Sequence, residues 1–463
     1  MAWIPDLELL PEGLPAAIEL DLGAEIVEVR THAGVGVSRE GCFLKLSRDG
    51  AETEGYLAYD VRRADDPARK DFCRREASAL GHVAARGIRA PLPLGRWPEF
   101  RAILTRVMPG DVAMDGLSEA TQIVLARDYM GEIARLHRLD VTGLELDGFG
   151  PPPANASDYA RARLDGLRQR HTSFGKDEPL NLLLYRWLDR HMPQGELSPR
   201  FVHGDIGPAN FLHDGQRVTA VLDWESTHFG DPMEDMAWLV HRLALFPSLP
   251  AAPMIAAWEE ELGEPVDMAR IAFYRVLVAT IVLTDMAEHL VQSDSEMRGN
   301  PGQVFSYYLA IRRLVLIALA EAEGIALEPV AVPEGVEGWP RLAAITMADI
   351  ASRIAPRLPD KASRARADYL PRLIQYWQGR NRLGAQFDLA ERDAIAEALE
   401  QPFASIDEAR AELGRAIVDE RLSIAQAIRL SHLRAAADIH CAGDGIGHLA
   451  YLNYPDIRAG EFA

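Results

Sequence analysis

Three oxygen-bearing side chains stand close together in the stretch Phe201–Glu225, FVHGDIGPANFLHDGQRVTAVLDWE: Asp205, Asn210 five residues later, and Asp223 eighteen after the first. These residue types suit phosphoryl transfer. Its loose transition state needs positioning and charge neutralisation, so a site wants a carboxylate to orient the attacking hydroxyl and hard oxygens for a metal ion. Mg²⁺ takes few protein ligands, often one or two carboxylates, and leaves the rest to phosphates and water. Singly, Asp and Asn at such places merely make turns. The argument for a site comes from their combination with Asp223-Trp224-Glu225 and Gly230-Asp231-Pro232.

Local elements must position that set. Phe201-Val202 leads in as a strand, His203 to Asn210 forms a polar loop, and Phe211-Leu212-His213 returns as a strand. Asp214-Gly215 is a hairpin-type turn signal, and the β-branched run Val218 to Leu222 delivers Asp223 at its end. Asp231 then reads as an N-cap, with Pro232 at the first helical position and Glu234 three on, so a helix starts at once. Asp231 and Asp235 are expected to cap and brace. No long peptide-docking segment fits between Asp223 and that helix, which favours a small-molecule acceptor.

Upstream the period is two. Ile26–Arg30 and Gly41–Leu46 read as strands, with a glycine-bearing loop between them that holds Gly34, Gly36 and Ser38. Such a loop lets backbone N–H groups approach a phosphate closely. Asp49-Gly50 turns the chain towards a third strand, about 55–63, and a helix carrying Glu76 follows. A further strand is expected over 102–107, broken by Met108-Pro109-Gly110. From Ser118 the pattern is helical, through about 232–246, 253–262, 267–292 and 303–324.

HGDIGPAN followed by LDWE and GDPMEDMAWL resembles the catalytic region of the aminoglycoside phosphotransferase and choline kinase superfamily, which shares the protein-kinase fold. It is most similar to the phosphotransferases found beside or fused to acyl-CoA dehydrogenases. The resemblance implies an α+β, bilobal protein-kinase-like fold with a small β-rich N-lobe and a mainly helical C-lobe, followed by an all-α C-terminal bundle. It implies ATP and Mg²⁺ as cofactors. Asp205 would be the catalytic base or hydroxyl-orienting residue, Asn210 and Asp223 the metal ligands, and His203 the brace of the catalytic loop. The third strand would supply a cation to the nucleotide, carried over as Arg62 paired with Glu76. Arg in place of the usual Lys is a departure, a planar fork instead of a point charge, and Arg63 is an equal candidate. Backbone near Thr105 and Arg106 would meet adenine.

Composition bounds the reading. The 463 residues call for two or three domains, expected as 1–110 for nucleotide binding, 111–328 for catalysis and acceptor binding, and 329–463 as a helical domain of unknown role. A net charge of −20 argues against nucleic acid and anionic membrane surfaces as partners. Cys42, Cys73 and Cys441 are scattered thiols, no signal peptide is apparent, and the expectation is a cytoplasmic protein. Beyond the Pro- and Gly-bearing stretch 327–338, helices are expected at 342–358, 363–379, 389–399, 406–421 and 424 to about 440. The expected function is transfer of the γ-phosphoryl group of Mg-ATP to a hydroxyl of a small acceptor, such as a hydroxyacyl compound or another catabolic alcohol. An antibiotic phosphotransferase acting on an aminoglycoside or macrolide, and a pseudokinase-like binding module, are the alternatives.

Overall fold

The computed structural model describes residues 10–31, 39–59, 67–174, 178–291, 300–335, 340–358 and 361–458. Gly34, Gly36, Ser38, Arg62 and Arg63 lie outside them. In chain order the elements begin with α1 (Leu14–Leu22), β1 (Glu25–Thr31), β2 (Glu40–Arg48), β3 (Ala51–Tyr59), α2 (Pro67–Ala84), β4 (Pro93–Trp97) and β5 (Ala102–Arg106). Helices α3 (Glu119–His137), α4 (Ala156–Phe174) and α5 (Pro179–Arg190) follow. Short strands β6 (Arg200–Val202), β7 (Phe211–His213), β8 (Val218–Val221) and β9 (His228–Gly230) come next. The remainder is helical: α6 (Pro232–Leu245), α7 (Ala251–Leu262), α8 (Met268–Val291), α9 (Pro301–Ala322), α10 (Pro340–Asp349), α11 (Lys361–Leu399), α12 (Ile406–Val418) and α13 (Ile424–Ala442). Two compact units result, one of 1–159, 196–266 and 455–463, the other of 160–195 and 267–454.

In the first unit an antiparallel sheet runs in the order β1-β2-β3-β5-β4. Strand β2 alternates as its sequence predicts, with Cys42, Leu44 and Leu46 turned inward. Asp49 and Gly50 join Arg48 to its partner Ala51 with φ values of 52° and 78°, the signs of a type I′ turn whose twist matches a hairpin. Leu14 and Ile18 of α1 cover this face together with Val29, Leu57 and Leu104. Full burial of each such side chain contributes about 1.5–3 kcal/mol. The catalytic segment is built from two small ribbons, β6 with β9 and β7 with β8.

The second unit is a helical assembly. Helix α9 is long and apolar enough to cross a membrane by length and composition, and 67% of that stretch is buried inside the protein. Arg312 on α9, itself buried, bonds Asp438 of α13 at 2.7 Å and Glu178 at 3.2 Å, while Tyr376 of α11 donates to Asp438 at 2.9 Å. Arg434, Asp438 and Tyr308 are therefore members of an internal ion network. Helix α11 corrects the expectation of separate helices at 363–379 and 389–399: it is continuous for 39 residues. Gly379 is not a break. A Cβ there would come within 2.0 Å of the Cys441 carbonyl oxygen, so the glycine lets α11 and α13 cross closely.

Candidate active site

The loop 203–210 hangs from one carboxylate. Asp235, in the first turn of α6, accepts the backbone N–H groups of His203 and Gly204 at 2.9 and 2.8 Å and the Nε2–H of His137 at 2.9 Å. His137 in turn accepts the Trp258 indole N–H at 2.9 Å. Burial pushes the Asp235 carboxyl up, but the His137 bond and the neighbouring imidazoles outweigh it and hold it below the usual carboxylate range. Gly204 has φ 82°, and a Cβ on it would lie 2.5 Å from the Ser226 carbonyl oxygen, so glycine is required for the loop to lie so close.

His203 is a brace. Its Nε2–H donates to the Leu222 carbonyl at 2.8 Å and its Nδ1 accepts the Asp205 backbone N–H at 3.3 Å. Both ring nitrogens are thus engaged within the protein, and burial lowers the imidazole to about 4. Neutral and internally bonded, His203 positions Asp205 and ties the loop to the strand end that carries Asp223.

Asp205 is held in plane by donors. Arg242 Nη1 lies 3.2 and 3.1 Å from its two carboxylate oxygens, and the Asn210 amide N–H bonds Oδ2 at 3.0 Å and the backbone oxygen at 2.7 Å. The second Arg242 nitrogen reaches the Pro208 carbonyl at 2.9 Å and Asn210 Oδ1 at 3.3 Å. Burial raises the Asp205 pKa, and the charge of Arg242 only partly offsets it. A carboxylate shifted towards neutrality suits a proton acceptor. Arg242 was not singled out from the sequence, although it lies seven residues after Asp235, two helical turns along one face of α6. From that face Asp235 suspends the start of the loop and Arg242 its end.

Asp223 differs. It follows β8 in the left-handed region, φ 65° and ψ 60°, a strained conformation for a non-glycine residue. Its pKa is raised by burial and by the charges of Glu225 and Asp205. With 40% of its side chain exposed, the repulsion from those carboxylates is the firmer cause. The opposing charge is Arg39, 3.9 Å away, which also meets Glu225 at 2.9 Å and Glu76 at 2.5 and 3.2 Å. Both Glu76 oxygens accept from Arg39, the first residue described after the glycine loop, while Arg62, its expected partner, lies outside the described residues. The signal was its place, one residue past Ser38 and directly before strand β2. Arg75, next to Glu76 on α2, donates to the Glu225 carbonyl at 3.0 Å and ties helix to turn.

A second clamp holds the β7–β8 ribbon. Arg89 donates to Asp128 at 2.7 and 2.6 Å, to Glu132 at 2.6 Å and to the Val218 carbonyl at 2.5 Å, while Val218 N–H returns to Asp128 at 2.7 Å. At the expected adenine edge, the Thr105 hydroxyl bonds the Tyr56 carbonyl at 3.4 Å. The Arg106 N–H is taken by the Leu92 carbonyl at 2.8 Å and the Val107 N–H by the Glu54 carbonyl at 3.2 Å. The backbone donors of residues 106 and 107 therefore serve the sheet.

Asp205, Asn210, Asp223 and Glu76 are thus brought into one charge-coupled cluster by Arg242 and Arg39. Among the described residues no three His, Cys, Asp or Glu side chains gather as a metal-ligand group. The fit is to a hard cation that asks for few protein ligands: an open carboxylate short of positive charge, and an amide oxygen on the adjoining loop.

Residues 45–274 match the phosphotransferase enzyme family. Human acyl-CoA dehydrogenase family member 11 is 29% identical over 205 residues, 43% of this chain and 25% of that protein, so the match spans about a quarter of that relative's length. Hygromycin-B 4-O-kinase of Escherichia coli is 30% identical over 102 residues, 20% of this chain and 30% of the kinase. The structure of the choline kinase LicA from Streptococcus pneumoniae aligns with a TM-score of 0.43 at 13% identity, covering 64% of this chain and 97% of that one. The matched segment holds every residue of the cluster except Arg39, so the cluster lies in the part of the chain that is similar to the phosphotransferase enzyme family.

Proposed function

We propose that the chain is a small-molecule kinase that moves the γ-phosphoryl group of Mg-ATP to a hydroxyl of a hydroxyacyl compound or related catabolic alcohol. The observation that carries the catalytic part is the fixed Asp205 carboxylate, aimed by Arg242 and Asn210 and shifted towards neutrality beside a second, cation-poor carboxylate. Asp205 takes the proton of the acceptor hydroxyl as its oxygen attacks phosphorus, and the bond to the leaving ADP oxygen breaks. Arg242 and Asn210 keep the carboxylate in the line of attack, and neutral His203 fixes the backbone beneath it. Asp223 and the Asn210 amide oxygen would hold Mg²⁺, which supplies charge neutralisation across the phosphates. Arg39, with Glu76 behind it, is the cation that faces the nucleotide on the described side.

One feature favours a small acceptor, and another its acyl class. Only Trp224–Ser226 and β9 separate Asp223 from α6, which leaves no segment for docking a peptide. The acyl class rests on the likeness to acyl-CoA dehydrogenase family member 11. The test is ATP consumption, with thermal stabilisation by non-hydrolysable ATP and Mg²⁺, across hydroxyacyl thioesters and amino sugars. Turnover with a hydroxyacyl thioester alone supports the reading. Turnover only with amino sugars moves the acceptor to the antibiotic class, and failure to bind Mg-nucleotide at all refutes the kinase.

A further inference from the structure

The second unit contains a cavity of about 660 Å³ that the phosphoryl-transfer chemistry does not use. That size lies within the range of small-molecule sites, about 300–1,000 Å³. It is walled by the C-terminal half of α9, the extended stretch after it, and the later turns of α13. Ile317, Ile325, Leu327, Val330 and Ile439 supply an aliphatic lining. A cavity with only such a lining would need no charge.

Arg313 breaks that pattern. It lines the cavity half-buried, donates to the Leu452 carbonyl, and has no carboxylate partner among the described residues. Its neighbour Arg312, one residue earlier, points into the ion network with two carboxylates. An arginine carries five N–H donors, so Arg313 keeps most of its fork for something else. Burial lowers its pKa with no compensating carboxylate. Glu321, on the same wall, is already paired with Arg275 at 2.5 Å. The remaining acids at the cavity, Glu328 and Asp444, are exposed and belong to its rim.

The imidazoles beside Arg313 are fixed. His432 Nε2–H donates to the Glu328 carbonyl at 3.1 Å, and its Nδ1 is buried without a partner. His440 lies flat against Phe387, ring centroids 5.9 Å apart and 8° from parallel. An uncompensated guanidinium beside two anchored imidazoles, set in an aliphatic pocket, is the arrangement that recognises a charged head joined to an apolar body.

We propose that this cavity binds an amphipathic organic anion, its carboxylate or phosphate on Arg313 and its aliphatic portion against Ile317, Leu327 and Ile439. The full-length protein is titrated by calorimetry with decanoate, decyl phosphate, decanol and acetate. Saturable binding of one of the ten-carbon anions, at least tenfold tighter than decanol and than acetate, is expected, and the tighter of the two identifies the head group. Ala436→Phe, which fills the cavity without touching a charge, should abolish that binding, and Arg313→Met should weaken it at least tenfold. Decanol binding as tightly as decanoate and decyl phosphate, or anion binding unchanged in Ala436→Phe, overturns the proposal. The ligand panel on the unaltered protein decides the matter even if Arg313→Met does not fold.

Discussion

Asp205 is met by donors and Asp223 by carboxylates. The first accepts from Arg242 and Asn210, which hold its plane, and its surroundings are complete without any added group. The second stands on a strained backbone with Glu225 and Asp205 repelling it and a shared arginine 3.9 Å away. One end of the cluster is preorganised by the protein. The other is left short of positive charge, which a metal–nucleotide complex brings with it. In the proposed function the contrast separates the residue assigned the acceptor's proton from the residue assigned the cation, and substitutions can test the separation one end at a time.

The largest effect is expected at Asp205. Asp205→Asn removes the proton acceptor while keeping the shape, and turnover should fall by about 10³-fold or more in a steady-state assay. Next is the suspension of the loop. Asp235→Ala leaves two backbone N–H groups and His137 without their acceptor, and chemical denaturation should show a loss of about 3 kcal/mol. Intact stability in that variant would mean that the loop is held some other way.

These braces were the least legible part of the sequence. Asp205, Asn210 and Asp223 could be read because a turn-rich loop with a hairpin behind it concentrates their chemistry in one short stretch, and the Asp231-Pro232 helix start was equally local. Strands β1 and β2 followed from period-two alternation. Arg39 and Arg242 could not be read in the same way, because each acts across a long sequence separation on partners that only the fold brings near. Glu76 was found as a residue, but Arg39 was not named as a partner, since helix position alone does not say which cations reach it. The continuous α11 was missed because a glycine that permits a close crossing looks the same in sequence as a glycine that ends a helix.

His203 provides a pH test of the bracing side. Its folded pKa, about 4, lies below the ordinary value near 6.5, so between those values the unfolded chain binds more protons than the folded one. Stability should therefore be full above about 6.5 and fall as pH drops through the window towards 4, by up to about 3 kcal/mol. His203→Gln, which keeps a donor for the Leu222 carbonyl, should flatten that part of the profile in denaturation curves compared with the parent. An unchanged slope would remove His203 from the account.

The smallest effect belongs to the other end. Asp223 has a raised pKa, so Mg-nucleotide affinity should weaken as pH falls through that raised value and protons compete for the carboxylate. Glu225→Gln removes one of the charges that raise it, and the midpoint of that dependence should move down by less than about one pH unit. No movement would mean that Glu225 does not act on Asp223.

Calorimetric titration of Mg²⁺ with a non-hydrolysable ATP analogue into Asp205→Asn and Asp223→Asn, with turnover assayed in parallel, tests the division of labour directly. The account predicts that both variants lose turnover, that Asp205→Asn binds the metal–nucleotide within about threefold of the parent, and that Asp223→Asn binds it at least tenfold more weakly. Equal loss of binding in both, or loss in Asp205→Asn alone, would contradict it.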